Sequence, residues 1–238
     1  MIDDKLNEIQ GFFNKHMNLE NIAKYSRYFK DGFKGYGVDP KTFEKQKDHW
    51  IEAWKDEMSL DDYLDLGEHL VQTGNYEESS LAIMFVASKR ESFTPETFDR
   101  LGKWFGLGMD NWASTDVLCM FVLKFFLLDG VIDYQKLASW STANSEWQRR
   151  SVPVTLNELI KTGLTPDIAL PLVEPLMLDG SEYVQKGIGT LLRGLWQKFP
   201  HEVENFLLKW KEGCGRLIVR YATEKMDKEK RKQFARSK

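Results

Sequence analysis

Cysteine and histidine are scarce in this 238-residue chain, which has two of the first and four of the second. Cys119 and Cys214 are too few for a disulfide framework, and no apolar leader follows Met1, so a reducing cytoplasm is the expected location. His16, His49, His69 and His201 stand singly, with no Cys-x-x-Cys or His-Glu-x-x-His spacing, and no metal is expected. Long apolar runs are missing too. The longest, Val117 to Leu128, is interrupted by Lys124 and falls short of the roughly 20 residues that a bilayer-spanning helix needs. The glycines at 32, 35 and 37 and at 102, 106 and 108 neither follow a strand nor lead into Gly-Lys-Ser/Thr, so no nucleotide loop and no cofactor are expected. No Ser or Cys sits in a nucleophile elbow, and Cys119 lies on an apolar helix face as a core residue would.

A basic excess is also lacking overall, with 33 Lys and Arg against 36 Asp and Glu and a net charge of −3. The charge is polarised instead. Residues 209–238 carry eleven Lys/Arg against four Asp/Glu, a balance of +7, which leaves −10 for residues 1–208. Six carboxylates (Asp56, Glu57, Asp61, Asp62, Asp65 and Glu68) fall close together, and the face that displays them should point away from any phosphate backbone.

What is present in abundance is helical periodicity. Leu6, Ile9, Phe12, Phe13 and then Ile22, Tyr25, Phe29, Phe33 recur at spacings of three and four, so amphipathic helices are predicted over both stretches. Helix starts are predicted at Asp39-Pro40, Ser59-Leu60, Thr94-Pro95, Thr165-Pro166 and Pro200, and helix ends near Gly74, Gly130, Gly163 and Gly180. Trp50, Trp54, Trp104, Trp140, Trp196 and Trp210 share the apolar spacing and read as packing residues. An all-α fold follows.

An internal repeat organises these helices. Glu146-Trp147-Gln148-Arg149-Arg150-Ser151-Val152 overlays Glu182-Tyr183-Val184-Gln185-Lys186-Gly187-Ile188 at a spacing of thirty-six residues, and stepping back reaches Trp112 and Tyr76. Helical pairs of this length bury their apolar faces by stacking on neighbours, so the expected architecture is an α-solenoid of HEAT-like repeats curved around a concave cleft. The whole chain, 1–238, is expected to form one such domain: N-terminal helices over 1–75, repeats over 76–213 and a basic cap and tail over 214–238. Residues three and four places after each opening aromatic should project as rungs along one wall: Ser79-Ser80, Thr115-Asp116, Arg150-Ser151 and Lys186-Gly187. Asp116 and Arg150 on that wall read either as an exposed functional pair or as a structural ion pair between adjacent repeats.

Four stretches carry a family resemblance: Ser26-Arg27-Tyr28-Phe29-Lys30 followed by Gly37-Val38-Asp39-Pro40, Asn111-Trp112-Ala113-Ser114-Thr115-Asp116, Trp147-Gln148-Arg149-Arg150, and Val184-Gln185-Lys186-Gly187-Ile188-Gly189. In that order and over nearly its whole length, the chain resembles the HEAT-like-repeat DNA glycosylases of the AlkD kind. The resemblance implies excision of cationic N3- or N7-alkylated purines from duplex DNA by a monomer without metal or cofactor, with the lesion left in the stack. It implies that Asp116 and Trp112 stabilise an oxocarbenium-like sugar, that Arg150 clamps the flanking phosphate, and that Tyr28, Arg149, Lys186 and Arg193 contact the DNA. The chain departs from the family pattern at Thr190, where well-studied members carry a second active-site tryptophan, and at Ala113, Asp39 and Glu158. Two alternatives stay open: a noncatalytic DNA-binding paralogue and a protein-binding helical-repeat module. The DNA readings require Asp116 and Arg150 exposed in a positive groove, and the protein-binding reading expects them paired and sealed.

Overall fold

The computed structural model of the protein describes residues 2–30 and 32–236. Among these, regular structure is helical and no strand occurs. The chain divides into two compact units, residues 1–125 and 126–238. The first contains α1 (Ile2–Lys15), α2 (Leu19–Ser26), α3 (Pro40–Trp54), α4 (Leu60–Gln72), α5 (Tyr76–Ala87), α6 (Pro95–Leu107) and α7 (Trp112–Leu118). A π-helical segment, Cys119–Leu123, continues α7 into α8 (Lys124–Leu128) at the boundary. The second unit holds α9 (Tyr134–Ala138), α10 (Glu146–Leu159), α11 (Pro166–Val173), α12 (Glu182–Trp196), α13 (Pro200–Trp210), α14 (Arg216–Ala222) and α15 (Lys228–Lys232).

The repeat is visible in where helices begin. Opening helices start at residues 40, 76, 112, 146, 182 and 216, so the period extends one step beyond both ends of the four units read from sequence. Short polar caps set most of these starts: the side chains of Asp39, Asn75, Asn111, Ser145 and Ser181 each accept a hydrogen bond from an amide in the first turn. Proline opens α6, α11 and α13, second helices of their pairs, where its fixed φ suits the first turn.

Within the first unit α3 packs on α5 and α5 on α7, while α4 packs on α6. Within the second, α10 packs on α12 and α12 on α14, while α9, α11 and α13 form the parallel row. Each unit is therefore a stack of helical pairs, with opening helices against opening helices and second helices against second helices. Close approach is built into α12. A Cβ at Gly189 would lie 2.5 Å from the Tyr221 Cβ and 2.9 Å from the Ile218 carbonyl, so only glycine lets α12 and α14 pack this tightly.

Most of the predicted core lies where the spacing placed it. Trp50, Trp54, Trp104, Trp140 and Cys119 are buried, whereas Trp196 and Trp210 are half-buried with their indole N–H groups donating to Glu204 and Glu174 at 2.8 and 3.1 Å. One predicted helix fails. The apolar stripe from Ile22 to Phe33 is not continuous helix: α2 stops at Ser26, and none of the described residues from 27 to 39 is helical. Gly32 and Gly37 adopt positive φ there, +87° and +66°, which the helical path cannot accommodate. Phe29 and Phe33 are half-buried, Phe33 against Tyr25 of α2 and Tyr76, and Phe29 against Phe33 and Trp112.

Candidate functional site

In the first unit the expected pair, Trp112 and Asp116, sits one turn apart at the start of α7, where Asn111 caps the helix by accepting from the Ser114 amide at 2.9 Å. Both are partly exposed. Trp112 is held from two sides: its ring stacks on Phe29 at 5.5 Å between centroids, and its Nε1 donates to the Tyr28 carbonyl at 3.3 Å. Tyr28 itself is 69% exposed, so its backbone fixes Trp112 while its ring remains accessible.

Behind Trp112 lies a cavity of about 470 Å³. Its walls include Tyr28, Phe29, Phe33, Tyr76 and Trp112, with Glu77 and Ser80 of α5 at its polar side. The Glu77 carboxylate is 5% exposed and accepts three backbone amides of the turn after α2: Gly37 at 2.7 Å and Val38 at 3.3 Å on Oε1, and Tyr36 at 3.1 Å on Oε2. Burial pushes the Glu77 carboxyl above its ordinary value, and the amides pull it partway back. The Tyr36 phenol donates to Glu78 at 2.7 Å, and burial together with that carboxylate drives its pKa far up. Gly37 is required at this turn, because a Cβ would approach the Asn18 carbonyl to 2.5 Å. Sequence reasoning missed Glu77 as an anchor and placed Ser79 and Ser80 on an open wall; both serines are buried instead. The available signal was Glu77-Glu78-Ser79-Ser80 followed by the apolar run over 81–87, which marks a helix buried on most sides.

The second unit carries the predicted cations. Arg150 is 9% exposed and its Nη1 donates to the Tyr183 carbonyl at 2.6 Å, so the expectation of an open arginine is not met. A Cβ at Gly187 would meet that Nη1 only in ordinary contact at 3.6 Å, and its tightest neighbour would be the Pro153 ring at 3.2 Å. Arg149 spends four N–H groups inside the unit: Nε and Nη2 grip Asp179 at 2.6 and 3.3 Å, and Nη1 donates to the carbonyls of Ala143 and Asn144 at 2.9 Å. It reads as a clamp on the loops before α10 and α12 rather than as a DNA contact. Lys186 is half-buried, 3.6 Å from Glu182 and 5.2 Å from the centre of the Tyr183 ring, an arrangement loose enough to release its ammonium. Arg193 pairs with Glu224, and Thr190 is partly exposed on α12. No described helix is long and apolar enough to cross a membrane.

A family model described as "DNA alkylation repair enzyme" matches residues 9–226. The chain belongs to that family. A solved structure titled "Predicted DNA alkylation repair enzyme from Enterococcus faecalis" is similar at a TM-score of 0.74 and 19% identity, over 90% of this chain and 98% of that one. AlkD2 from Streptococcus mutans is similar at a TM-score of 0.59 and 20% identity, over 87% and 98% of the two chains. The protein smu.31 from Streptococcus mutans UA159 is similar at a TM-score of 0.59 and 19% identity, with the same coverage. No curated protein matches. At these identities the structural likenesses speak to the fold, and family membership rests on the model spanning most of the chain. Membership of a DNA alkylation repair family implies DNA as the substrate.

Proposed function

We propose that this family member is a monofunctional DNA glycosylase that releases cationic N3- or N7-alkylated purines from duplex DNA. The observation that carries the reading is the pairing of Trp112 and Asp116 on adjacent turns of a capped helix, with the indole fixed by Phe29 and the Tyr28 carbonyl. An alkylated purine already bears the positive charge that makes it a leaving group. As the glycosidic bond breaks, its electron pair departs with the purine and the sugar becomes oxocarbenium-like. A carboxylate and an electron-rich ring face both attract that developing cation. Asp116 stabilises the charge and orients the water that attacks C1′, Trp112 packs on the sugar, and an abasic site remains. Lys186 and Arg193 supply phosphate contacts, Arg150 supports them from its fixed place under α12, and Tyr28 adds an accessible ring. No metal or cofactor enters this chemistry, and a monomer suffices for it.

The test is Asp116→Asn on methylated duplex DNA. Release of 7-methylguanine is expected to fall roughly a hundredfold, the loss typical of one preorganised electrostatic group, while DNA affinity holds or rises. Unchanged release removes the catalytic assignment. A second reading, DNA binding without excision, is favoured by Thr190 standing on α12 where the resemblance leads one to expect a tryptophan; it predicts no 7-methylguanine release by the wild-type chain at any enzyme concentration, alongside intact duplex binding.

A further inference from the structure

We infer that Glu77 is a positioning residue for Trp112: its buried carboxylate fixes the segment after α2, whose Tyr28 carbonyl and Phe29 ring in turn fix the indole. The inference rests on the glycosylase reading for what Trp112 does, and it adds a residue outside the pair that meets the sugar. Both groups that hold Trp112 belong to a stretch with no helical residue among those described from 27 to 39. Such a stretch can hold a ring in place only if something rigid holds the stretch. α2 does not do so, since it buries none of its residues. α5 does. Asn75 caps α5 by accepting from the Glu77 amide at 3.0 Å, and α5 packs on α7, so the Glu77 side chain departs from the same stack that carries Trp112. Its carboxylate takes three consecutive amides, those of Tyr36, Gly37 and Val38, at 2.7–3.3 Å. Weaker ties lie around it: the Tyr76 amide donates to the Lys34 carbonyl at 2.9 Å, the Phe33 and Tyr76 rings stand 5.7 Å apart, and Asn21 of α2 donates to the Gly37 carbonyl at 2.9 Å. Gly37 and Val38 are buried, so withdrawing the carboxylate leaves their amides without an acceptor, and the turn must shift to regain one. Trp112 loses its two supports with that shift.

The test compares Glu77→Ala, which removes the acceptor, with Glu77→Gln, whose side-chain oxygen can still accept from Gly37 and Val38. Acrylamide quenching reads Trp112 alone when the emission of the matching Trp112→Phe protein is subtracted, and single-turnover release of 7-methylguanine is measured beside duplex affinity. In Glu77→Ala the quenching constant of Trp112 is expected to rise about twofold and release to fall roughly tenfold at unchanged duplex affinity, since misplacing a group at the reacting centre by about 1 Å can cost a hundredfold in rate. Glu77→Gln is expected to restore most of both. Unchanged Trp112 quenching in Glu77→Ala that keeps its helical circular dichroism, or a change equally large in Glu77→Gln, overturns the inference. If Glu77→Ala does not fold, Asn21→Ala decides, because Asn21 is half-buried and ties α2 to the same turn. A smaller rise in Trp112 quenching is expected there, and no rise overturns the inference. The two proposals fail separately: quenching is read without DNA, so a wild type that releases no 7-methylguanine sinks the catalytic assignment alone, and excision with Trp112 indifferent to Glu77 sinks the positioning role alone.

Discussion

Replacing Gly189 by alanine tests whether the stack depends on close approach of α12 and α14. In an exposed helix interior the substitution stabilises by about 1 kcal/mol, because alanine loses less backbone entropy on folding. Gly11 of α1 provides that baseline, since a Cβ there meets nothing within 4 Å. At Gly189 the same methyl would stand 2.5 Å from the Tyr221 Cβ and 2.9 Å from the Ile218 carbonyl. Neither is the flexible end of a side chain, so the helices must separate, and overpacking of this kind costs about 1–3 kcal/mol. Gly189→Ala is thus expected to lose about 1 kcal/mol net and Gly11→Ala to gain about as much. For a chain of this size each kcal/mol moves Tm by roughly 2–4 °C. Urea denaturation followed by tryptophan emission is the assay: Trp196 lies in α12 itself, and Trp50 packs against Phe12 of α1 at 5.3 Å. If the two variants shift stability in the same direction by the same amount, the packing argument is wrong.

Arg149→Ala strips Asp179, a carboxylate only 7% exposed, of its bidentate partner and is expected to cost about 3 kcal/mol while leaving DNA affinity intact. The opposite result, with stability kept and affinity lost, would restore Arg149 as a DNA contact. Lys186→Ala should do the reverse, keeping stability but lowering duplex affinity uniformly across sequences and reducing the slope of log affinity against log salt by about one, read from titrations at several salt concentrations. An unaltered slope would exclude Lys186 from the phosphate contacts. Glu77 sets a pH dependence. Its carboxyl is raised by burial, so the folded state binds that proton more tightly than the unfolded chain does. The stability it contributes is complete below the ordinary glutamate value of 4.5 and is lost as pH rises through the higher folded-state value. The stability of wild type relative to Glu77→Gln, from urea midpoints across this range, should therefore decline as pH rises; a difference that stays flat or grows contradicts the burial.

The one-dimensional pattern was enough to establish the helical class, the starts of many helices and the repeat. These are local properties: Asp39, Ser59 and Thr94 cap the helices that follow them, and proline at 95, 166 and 200 fits a first turn wherever it occurs. The candidate pair was legible for a similar reason, because residues 112 and 116 share a face in any helix that spans both. Tertiary structure decided which polar groups are open. Arg150 and Arg149 look alike as neighbours in the chain, yet one lies beneath α12 against Tyr183 and the other grips Asp179, in both cases through partners about thirty residues away. The failed helix over 22–33 has the same origin, as Glu77, roughly forty residues downstream, draws the Tyr36, Gly37 and Val38 amides onto its carboxylate. Spacing along a chain encodes which side chains share a face. Whether that face meets water, a carbonyl or a buried carboxylate is set by the helix packed against it, and desolvation acts through that neighbour alone.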